Sequence, residues 1–460
     1  MKSFKSTEKP NKWDWIIFGI VALFIILCFA YWDVFVTTAH TINYIDAISK
    51  GHFFDLYKVN YNLIIDGVYT TVCYDIIIYF ILMIWYFPLW IFTKIFSLNI
   101  INNFFSILWM KGIFVLFIFL CCKVIKKICI ELDIKQNLIK WVILFFVSTP
   151  MLLTATLLLC QCDIIPIFFM LLGIYYYLKK QDLKFILFFA IAIPMKLFPL
   201  LVFIPLLLLR EKKISKILLY TLVAVSLLTV LRVGEAMMPL YYESTEGFKV
   251  YMFDKLFNSA LFETGYGRAT IFIALYTLLC IYCYAKNITE AEIKRYVIYI
   301  PFLVFLSFLT FVCYHPYWII YLVPFSSIIL FQNAKYFKVN TIVEAFYNLF
   351  TLIILSKYSY LCFTAKNVDK MLIPKIFGKR NLTTLKYSYI GALYDKLELS
   401  KYFPAVLGIS LALAIALAVI NFPRKDSDTE EIKVERSLVW LRTSIIIPFA
   451  VLLIYCYYVK

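Results

Sequence analysis

"WIIFGIVALFIILCFAYWDVFV", residues Trp15–Val36, decides the fold. From Trp15 to Ala30 the stretch carries no charged or hydroxyl side chain, and then an aspartate, Asp33, appears among aromatics. Runs of about 18 or more apolar residues read as membrane spans, and such runs recur to the end of the chain. The 460 residues are 63% hydrophobic and 16% charged, against roughly 45–50% and about 25% in soluble domains. Mean hydropathy is +0.85. The sequence therefore reads as an all-α polytopic membrane protein in contact with a lipid bilayer throughout.

Candidate spans are 14–32, 76–96, 103–122, 138–159, 163–178, 184–209, 214–233, 267–285, 296–313, 317–332, 341–363, 403–421 and 439–458, giving about 12–13 transmembrane helices. The first run is too long for the core of a cleaved leader, and no small-x-small site follows it. It is expected to stay as helix one, with Lys2, Lys5, Lys9 and Lys12 held in the cytoplasm. The net charge of +17 arises from basic residues in short loops between spans, as orientation in a membrane requires. No long basic, aromatic-interleaved segment exists, so nucleic acid is not an expected partner. Nearly all of the 12 cysteines lie inside apolar runs. Cys280 and Cys283 form a C-x-x-C without partner histidines and read as small buried hydrophobes, so no metal site is expected.

Three segments between spans, 33–75, 234–266 and 364–402, are too long for turns and read as short helices lying on the membrane. With a cytoplasmic amino terminus all three fall on the outer face, and the carboxyl terminus is outside too. The organisation expected is a module over 1–332, with first outer loop 33–75, and further spans over 333–460 with outer loop 364–402. One conflict stands. Counting spans puts 123–140 outside, although Lys123, Lys126, Lys127, Lys135 and Lys140 argue for the inside, and Lys179, Lys180 and Lys184 raise the same objection. Either 184–209, broken by "PMKLFP" (Pro194–Pro199), is a re-entrant pair with its tip at Lys196, together with an extra crossing near 60–75, or it is one span and the charge rule fails twice.

Five places could carry chemistry. Asp33 at the membrane–water interface could act as a general base on a hydroxyl presented from water; the plainer reading is a helix-capping acid. In "SKGHFFDLY", Gly51 closes a helix over about 36–50, and Asp55 and Tyr57 start an extended turn. "LLLCQCDIIPIFF" puts Gln161 and Asp163 in a tight turn, either merely solvated or contacting a sugar, with Pro166 in the first turn of the next helix. Lys196 lies deep in apolar sequence, where an ammonium is costly and marks function by default. A phosphate is its obvious partner, and snorkelling is hard with helix ends about ten residues away. His315, in "FVCYHPYW", could shuttle protons or donate to a developing phosphate charge, or be an ordinary polar residue before Pro316.

Together these residues resemble the integral-membrane glycosyltransferases of the GT-C superfamily, and most of all glycosyltransferase family 87, whose members use polyprenyl-phosphate mannose. The family's aspartate after helix one and its G…Y motif are similar to Asp33 with "SKGHFFDLY", at slightly longer spacing. Its G-Q-x-[N/D] turn resembles "CQCD", with Cys160 where glycine is usual. "AIPMKLFPLLVFIPLLLLREKK" is similar to its A-x-x-x-K-x-x-P stretch and basic loop, and "SFLTFVCYHPYW" to its segment with two histidines, of which only one is present. The likeness covers residues 14–332. It implies a GT-C-type fold and a lipid-linked donor carrying one hexose. It also implies a glycan or glycolipid acceptor and inversion at C1 with Asp33 as base. Lys196 and His315 would stabilise the leaving phosphate, and Gln161 and Asp163, with Asp55 and Tyr57, would hold substrate. No metal or other cofactor is implied.

Three other classes are weighed against this reading. A transporter or flippase would show broken helices in both halves and a polar track across the membrane. A polysaccharide polymerase or ligase would show a large outer loop with arginines, where 364–402 has Lys366, Lys370, Lys375, Lys379 and Arg380. Nothing argues positively for a non-enzymatic scaffold. The lysine-, isoleucine- and phenylalanine-rich composition fits an AT-rich bacterial genome, and hence a bacterial plasma membrane with the active site on the extracytoplasmic face.

Overall fold

In the computed structural model, helix α1 (Lys12–Cys28) opens on a reciprocal cap. The Asp14 N–H donates to the Asn11 side chain, and the Asn11 N–H donates to the Asp14 carboxylate. The structure describes residues 9–65, 68–72, 74–97, 103–265, 267–369, 371–378, 389–424 and 432–458. Lys2, Lys5, Lys370, Lys379 and Arg380 lie outside the described residues.

After α1 the backbone turns in extended conformation, and α2 (Trp32–Ser49) begins at once. Gly51, at φ +85°, closes it in the left-handed conformation that glycine adopts without strain. A short helix α3 (Leu56–Asn60) and an antiparallel hairpin, β1 (Leu63–Ile65) with β2 (Val68–Thr70), follow. The described residues of 60–75 therefore do not cross the membrane; residues 66, 67 and 73 lie outside them.

The chain continues through α4 (Ile76–Phe96), α5 (Phe104–Glu131) and α6 (Gln136–Val147). A bend leads into α7 (Pro150–Leu152) and a π-helical turn, Leu153–Leu158. Next come α8 (Ile164–Leu178), α9 (Asp182–Met195), α10 (Phe198–Arg210) and α11 (Ile214–Ala236). Helix α12 (Tyr241–Asn258) and the hairpin of β3 (Leu261–Thr264) with β4 (Gly267–Thr270) fill the next connection. Helices α13 (Ile271–Ala285), α14 (Glu290–Phe311), a 3-10 turn Pro316–Tyr321 and α15 (Val323–Gln332) follow. The remainder is α16 (Phe337–Tyr358), α17 (Ile373–Phe377), α18 (Ile390–Lys396), α19 (Phe403–Ile420), α20 (Arg436–Ser444) and α21 (Ile446–Tyr458).

The protein is an all-α, multi-pass membrane protein. Six helical segments are long and apolar enough to cross, or seven if the bent pair Gln136–Val147 and Pro150–Leu158 counts as one span. That is fewer than the sequence reading expects, in part because α8, α10, α13 and Pro316–Gln332 are apolar but short, and because α1 has 17 residues and 184–209 divides into two helices.

Ion pairs mark one end of the bundle. There Lys179 meets Glu131 at 2.7 Å, Arg210 meets Asp182 at 3.0 Å and Arg436 meets Asp14 at 3.4 Å, while Lys180 pairs with Glu290 and Lys294 with Asp133. Because Arg210 ends α10 and Asp182 starts α9, the two helices form a hairpin that returns to its own side. Its rings confirm the antiparallel fold, with Phe185 stacked on Phe203 at 5.1 Å. The break falls at Lys196, which is extended and tips the hairpin at the far end.

Helix α4 settles the topology in a way the sequence reading does not anticipate. It starts beside the end of α11, where Asp75 pairs with Arg232 at 2.8 Å. Lys111 of α5 donates to the carbonyls of Ile26, at 2.5 Å, and of Phe29, so this part of α5 lies level with the end of α1. Trp85 of α4 stacks on Trp109 of α5 at 5.1 Å, and Lys94 reaches Asp46 of α2 at 2.8 Å. Helix α4 thus stays beside α2 at the end opposite Glu131, Asp182 and Asp14 and does not traverse the bundle. With α4 removed from the count and 184–209 folded back, the lysines of 123–140 and 179–184 fall at the end that also holds the start of α1. The conflict disappears without a crossing near 60–75.

The C-terminal segment interlocks with the rest. Arg442, fully buried, donates to Glu344 at 2.6 and 2.8 Å, to the Phe145 carbonyl at 2.6 Å and to Thr149 Oγ1 at 2.6 Å. At the other end the Ala30 N–H donates to the Asn367 carbonyl and the Asp369 N–H to that of Cys28, both at 2.8 Å. The connection after α16 therefore packs on the joint that carries Asp33.

Candidate functional site

The joint between α1 and α2 fixes Asp33 in the first turn of α2, yet its carboxylate caps nothing there. Instead it accepts a hydrogen bond from Gln161 Nε2 at 3.0 Å. The capping explanation for Asp33 is thereby replaced by a contact across 128 residues. Gln161 is held by the turn that ends the π-helical segment. Cys160 sits at φ +49°, a left-handed conformation, which is the physical reason that a glycine suits this position. Gln161 is buried, and its amide is gripped at both ends. Its nitrogen also donates to the Leu159 carbonyl at 3.2 Å, and its oxygen accepts from the Tyr74 hydroxyl at 3.0 Å.

Asp163, fully buried at the start of α8, lies 3.8 Å from the ammonium of Lys196 at the hairpin tip. A carboxylate at a helix start and an ammonium at the end of α9 each sit where the backbone dipole favours them. The Tyr321 hydroxyl is the other polar side chain that faces the Asp163 carboxylate. The Lys196 ammonium is ringed by aromatics, 5.0 Å from the centre of Tyr74 and 5.9 Å from those of Tyr317 and Trp318. Such contacts soften the cost of a poorly hydrated cation. His315 shares two of these rings, stacked on Tyr317 at 5.3 Å and edge-on to Trp318 at 5.2 Å.

Burial pushes the Asp33 carboxyl above the ordinary carboxylate range, with Asp163 adding to the rise and the Gln161 hydrogen bond and Lys196 opposing it. Burial, then the nearby ammonium groups of Lys196 and Lys255, push His315 down to about 4, so it is neutral at pH 7 and offers an N–H rather than a charge.

Asp33, Gln161, Asp163, Lys196 and His315, separated by up to 282 residues of sequence, thus gather at one end of the bundle. Asp55 and Tyr57 do not join them. Asp55 faces His52 at 3.6 Å and Lys58 at 3.5 Å. Tyr57 is buried, and its hydroxyl donates to Glu235 at 3.0 Å. Helix α2 carries the turn after Gly51 about 27 Å along its axis, 18 residues at about 1.5 Å each, and the chain then returns Tyr57 only as far as Glu235, which also accepts from the Ile76 N–H behind the cluster. The sequence reading misses Tyr74 and the rings of Tyr317 and Trp318. Only the last two stood near a singled-out residue, in "YHPYW". Among the described residues no group of three or more His, Cys, Asp or Glu is placed to hold a metal ion.

Comparison with protein-family models, with curated proteins and with solved structures gives no match.

Proposed function

We propose that this protein is a membrane glycosyltransferase that moves a hexose, mannose-like, from a polyprenyl-phosphate donor to a hydroxyl of an envelope glycan or glycolipid. The observation that carries the reading is the single cluster in which a hydrogen-bonded carboxylate, Asp33, is gathered with a half-buried ammonium, Lys196, at one end of an apolar bundle. In this mechanism Asp33 takes the acceptor O–H proton while the acceptor oxygen attacks C1. The bond from C1 to the phosphate oxygen breaks on the opposite face, so configuration inverts and polyprenyl phosphate leaves. Lys196 and the N–H of His315 stabilise the charge that develops on that phosphate. Gln161 orients the base, and Asp163 holds Lys196 or a sugar hydroxyl. The GT-C and family 87 likeness of the motifs supports the same reading.

The cluster lies at the end remote from the lysine-rich one, and by the positive-inside bias that end faces away from the cytoplasm. An outward-facing site follows from this reading, and the bacterial plasma membrane is carried over from the composition alone. The transporter alternative fares less well. The α9–α10 break places its polar groups at one end only, and Phe198, at the root of the hairpin tip, closes on Tyr321 at 4.6 Å and Trp318 at 4.9 Å.

The test is sugar transfer in detergent from a panel of short-chain polyprenyl-phosphate hexoses. Wild type consumes donor and Asp33→Asn does not, while both elute alike in size exclusion. The base must be ionised, so activity falls as pH drops through a midpoint above that of an ordinary carboxylate, near 4. Wild-type-like turnover in Asp33→Asn would remove the mechanism.

A further inference from the structure

The start of α4 is locked from behind. Asp75 pairs with Arg232 at 2.8 Å, and Arg232 donates to the Tyr241 hydroxyl at 3.1 Å. The first N–H of α4, on Ile76, donates to Glu235 Oε1 at 2.6 Å, and Tyr57 donates to the same oxygen at 3.0 Å. A helix start needs such acceptors for its unpaired N–H groups. The lock uses the end of α11, where Glu235 is buried, and the residue that it presents toward Asp33 is Tyr74, directly before Asp75.

Tyr74 then meets Gln161, and the donors and acceptors along this line admit one arrangement. The Leu159 carbonyl can only accept, so the amide end facing it is the nitrogen. The same nitrogen faces Asp33 Oδ2, which suits an ionised carboxylate, an acceptor only. The amide oxygen is left facing Tyr74, whose hydroxyl donates to it at 3.0 Å. Removing that hydroxyl leaves the amide oxygen buried without its donor, and rotation of the side chain toward another one breaks the bond to Asp33.

We propose that Tyr74 is a positioning residue for the base. Held by the Asp75–Arg232 and Glu235 contacts, it fixes the Gln161 amide so that its N–H is always directed at the Asp33 carboxylate. The proposal rests on the reading of Asp33 as the base, and it gives Tyr57 and Glu235, which lie outside the cluster, a part in its support. Other groups that face Asp33 are Lys196 from the hairpin tip, Asp163 and Cys162 from the turn, Tyr317 from the 3-10 turn and Cys362 from the connection after α16. None of them changes when Tyr74 loses only its oxygen.

Tyr74→Phe keeps the ring under Lys196 and deletes the hydroxyl. The Asp33 carboxyl band is followed by infrared spectroscopy against pH, as a difference from Asp33→Asn, in wild type, Tyr74→Phe, Gln161→Leu and the double variant. Loss of one hydrogen bond to a charged group is expected to move the midpoint up by about one pH unit. Gln161→Leu moves it at least as far, and adding Tyr74→Phe to Gln161→Leu moves it no further. The acid limb of the transfer rate shifts with it, while the KM for donor stays within about twofold. Arg232→Lys, which loosens the lock without touching the line, shifts the midpoint the same way by less. An unchanged midpoint in Tyr74→Phe, or equal shifts by Tyr74→Phe with and without Gln161, overturns the proposal. If wild type transfers no sugar at all, the transferase reading fails, while the infrared titration still decides whether Tyr74 acts on Asp33 through Gln161.

Discussion

Replacing Arg442 by methionine should cost about 3–5 kcal/mol of stability, the usual penalty for breaking a buried ion pair by removing one partner. Methionine fills most of the space, so the loss is electrostatic rather than a cavity. In wild type the guanidinium gives Glu344 two short hydrogen bonds, at 2.6 and 2.8 Å, and satisfies the Phe145 carbonyl and Thr149 Oγ1 as well. In Arg442→Met the carboxylate keeps one donor from a side chain, Asn348 Nδ2 at 2.8 Å, and at the end of α6 the Phe145 carbonyl keeps only the Thr149 hydroxyl, at 2.6 Å, while Thr149 Oγ1 loses the donor that faced it. Glu344→Gln should cost a similar amount, since it strands a buried guanidinium. The double variant should lose less than the sum of the singles, with a coupling of about 2–3 kcal/mol. Reversible unfolding in mixed micelles with rising SDS, followed by circular dichroism, measures all three. A loss below about 1 kcal/mol in Arg442→Met, or singles that add to within about 0.5 kcal/mol, would refute the reasoning.

Two further outcomes are expected. Lys196→Met removes the counter-charge 3.8 Å from Asp163 and, on the transferase reading, the main cation for the leaving phosphate. The value of kcat/KM should fall at least about tenfold, which is about 1.4 kcal/mol, with Lys196→Arg recovering part of it; steady-state rates against donor concentration decide this. Lys111→Met strips the donor from the carbonyls of Ile26 and Phe29 at the end of α1. It should lower stability by about 1–3 kcal/mol in the same micelle assay, and an unchanged midpoint would show that these carbonyls find other donors.

What the sequence shows of this molecule follows from contrast. Lys196, Asp33 and the pair Gln161 and Asp163 stand out because polar groups are costly in apolar surroundings and are kept only for a reason. The break at Pro194–Pro199 is legible for the same cause, and the structure resolves it as a hairpin tip. Arg442 shows the opposite case. It follows Arg436 by six residues at the edge of a span, where charge is ordinary, and only its partner Glu344, 98 residues away, reveals that it is buried. Tyr74 is one of 35 tyrosines, so its identity carries no signal until Gln161 is placed against it. Helix α4 is the instructive failure. Its apolar content is that of a span, but composition is blind to direction. Its course is set by contacts such as the indole N–H groups of Trp85 and Trp109, each donating to the other's carbonyl at 2.8 and 3.0 Å.

Helix lengths bear on how a donor could reach the cluster. Helices α8, α9 and α10 have 15, 14 and 13 residues, or about 20–22 Å at 1.5 Å per residue. On the proposed reading, with the ion-paired end set at one face of a hydrocarbon core about 30 Å thick, Asp163 and Lys196 stop about 8–10 Å short of the other. On that reading the cluster is recessed, floored by the hairpin and flanked by α2 and α4. A water-soluble nucleotide sugar would have to shed its hydration to descend into such a recess. A sugar phosphate on a polyprenyl chain is already in the bilayer and meets the recess from the side. Its phosphate gives up water over the same step from the headgroup region, and the ammonium of Lys196 offsets that cost. On the proposed reading, the shortness of these three helices is what makes a lipid the fitting carrier for the sugar.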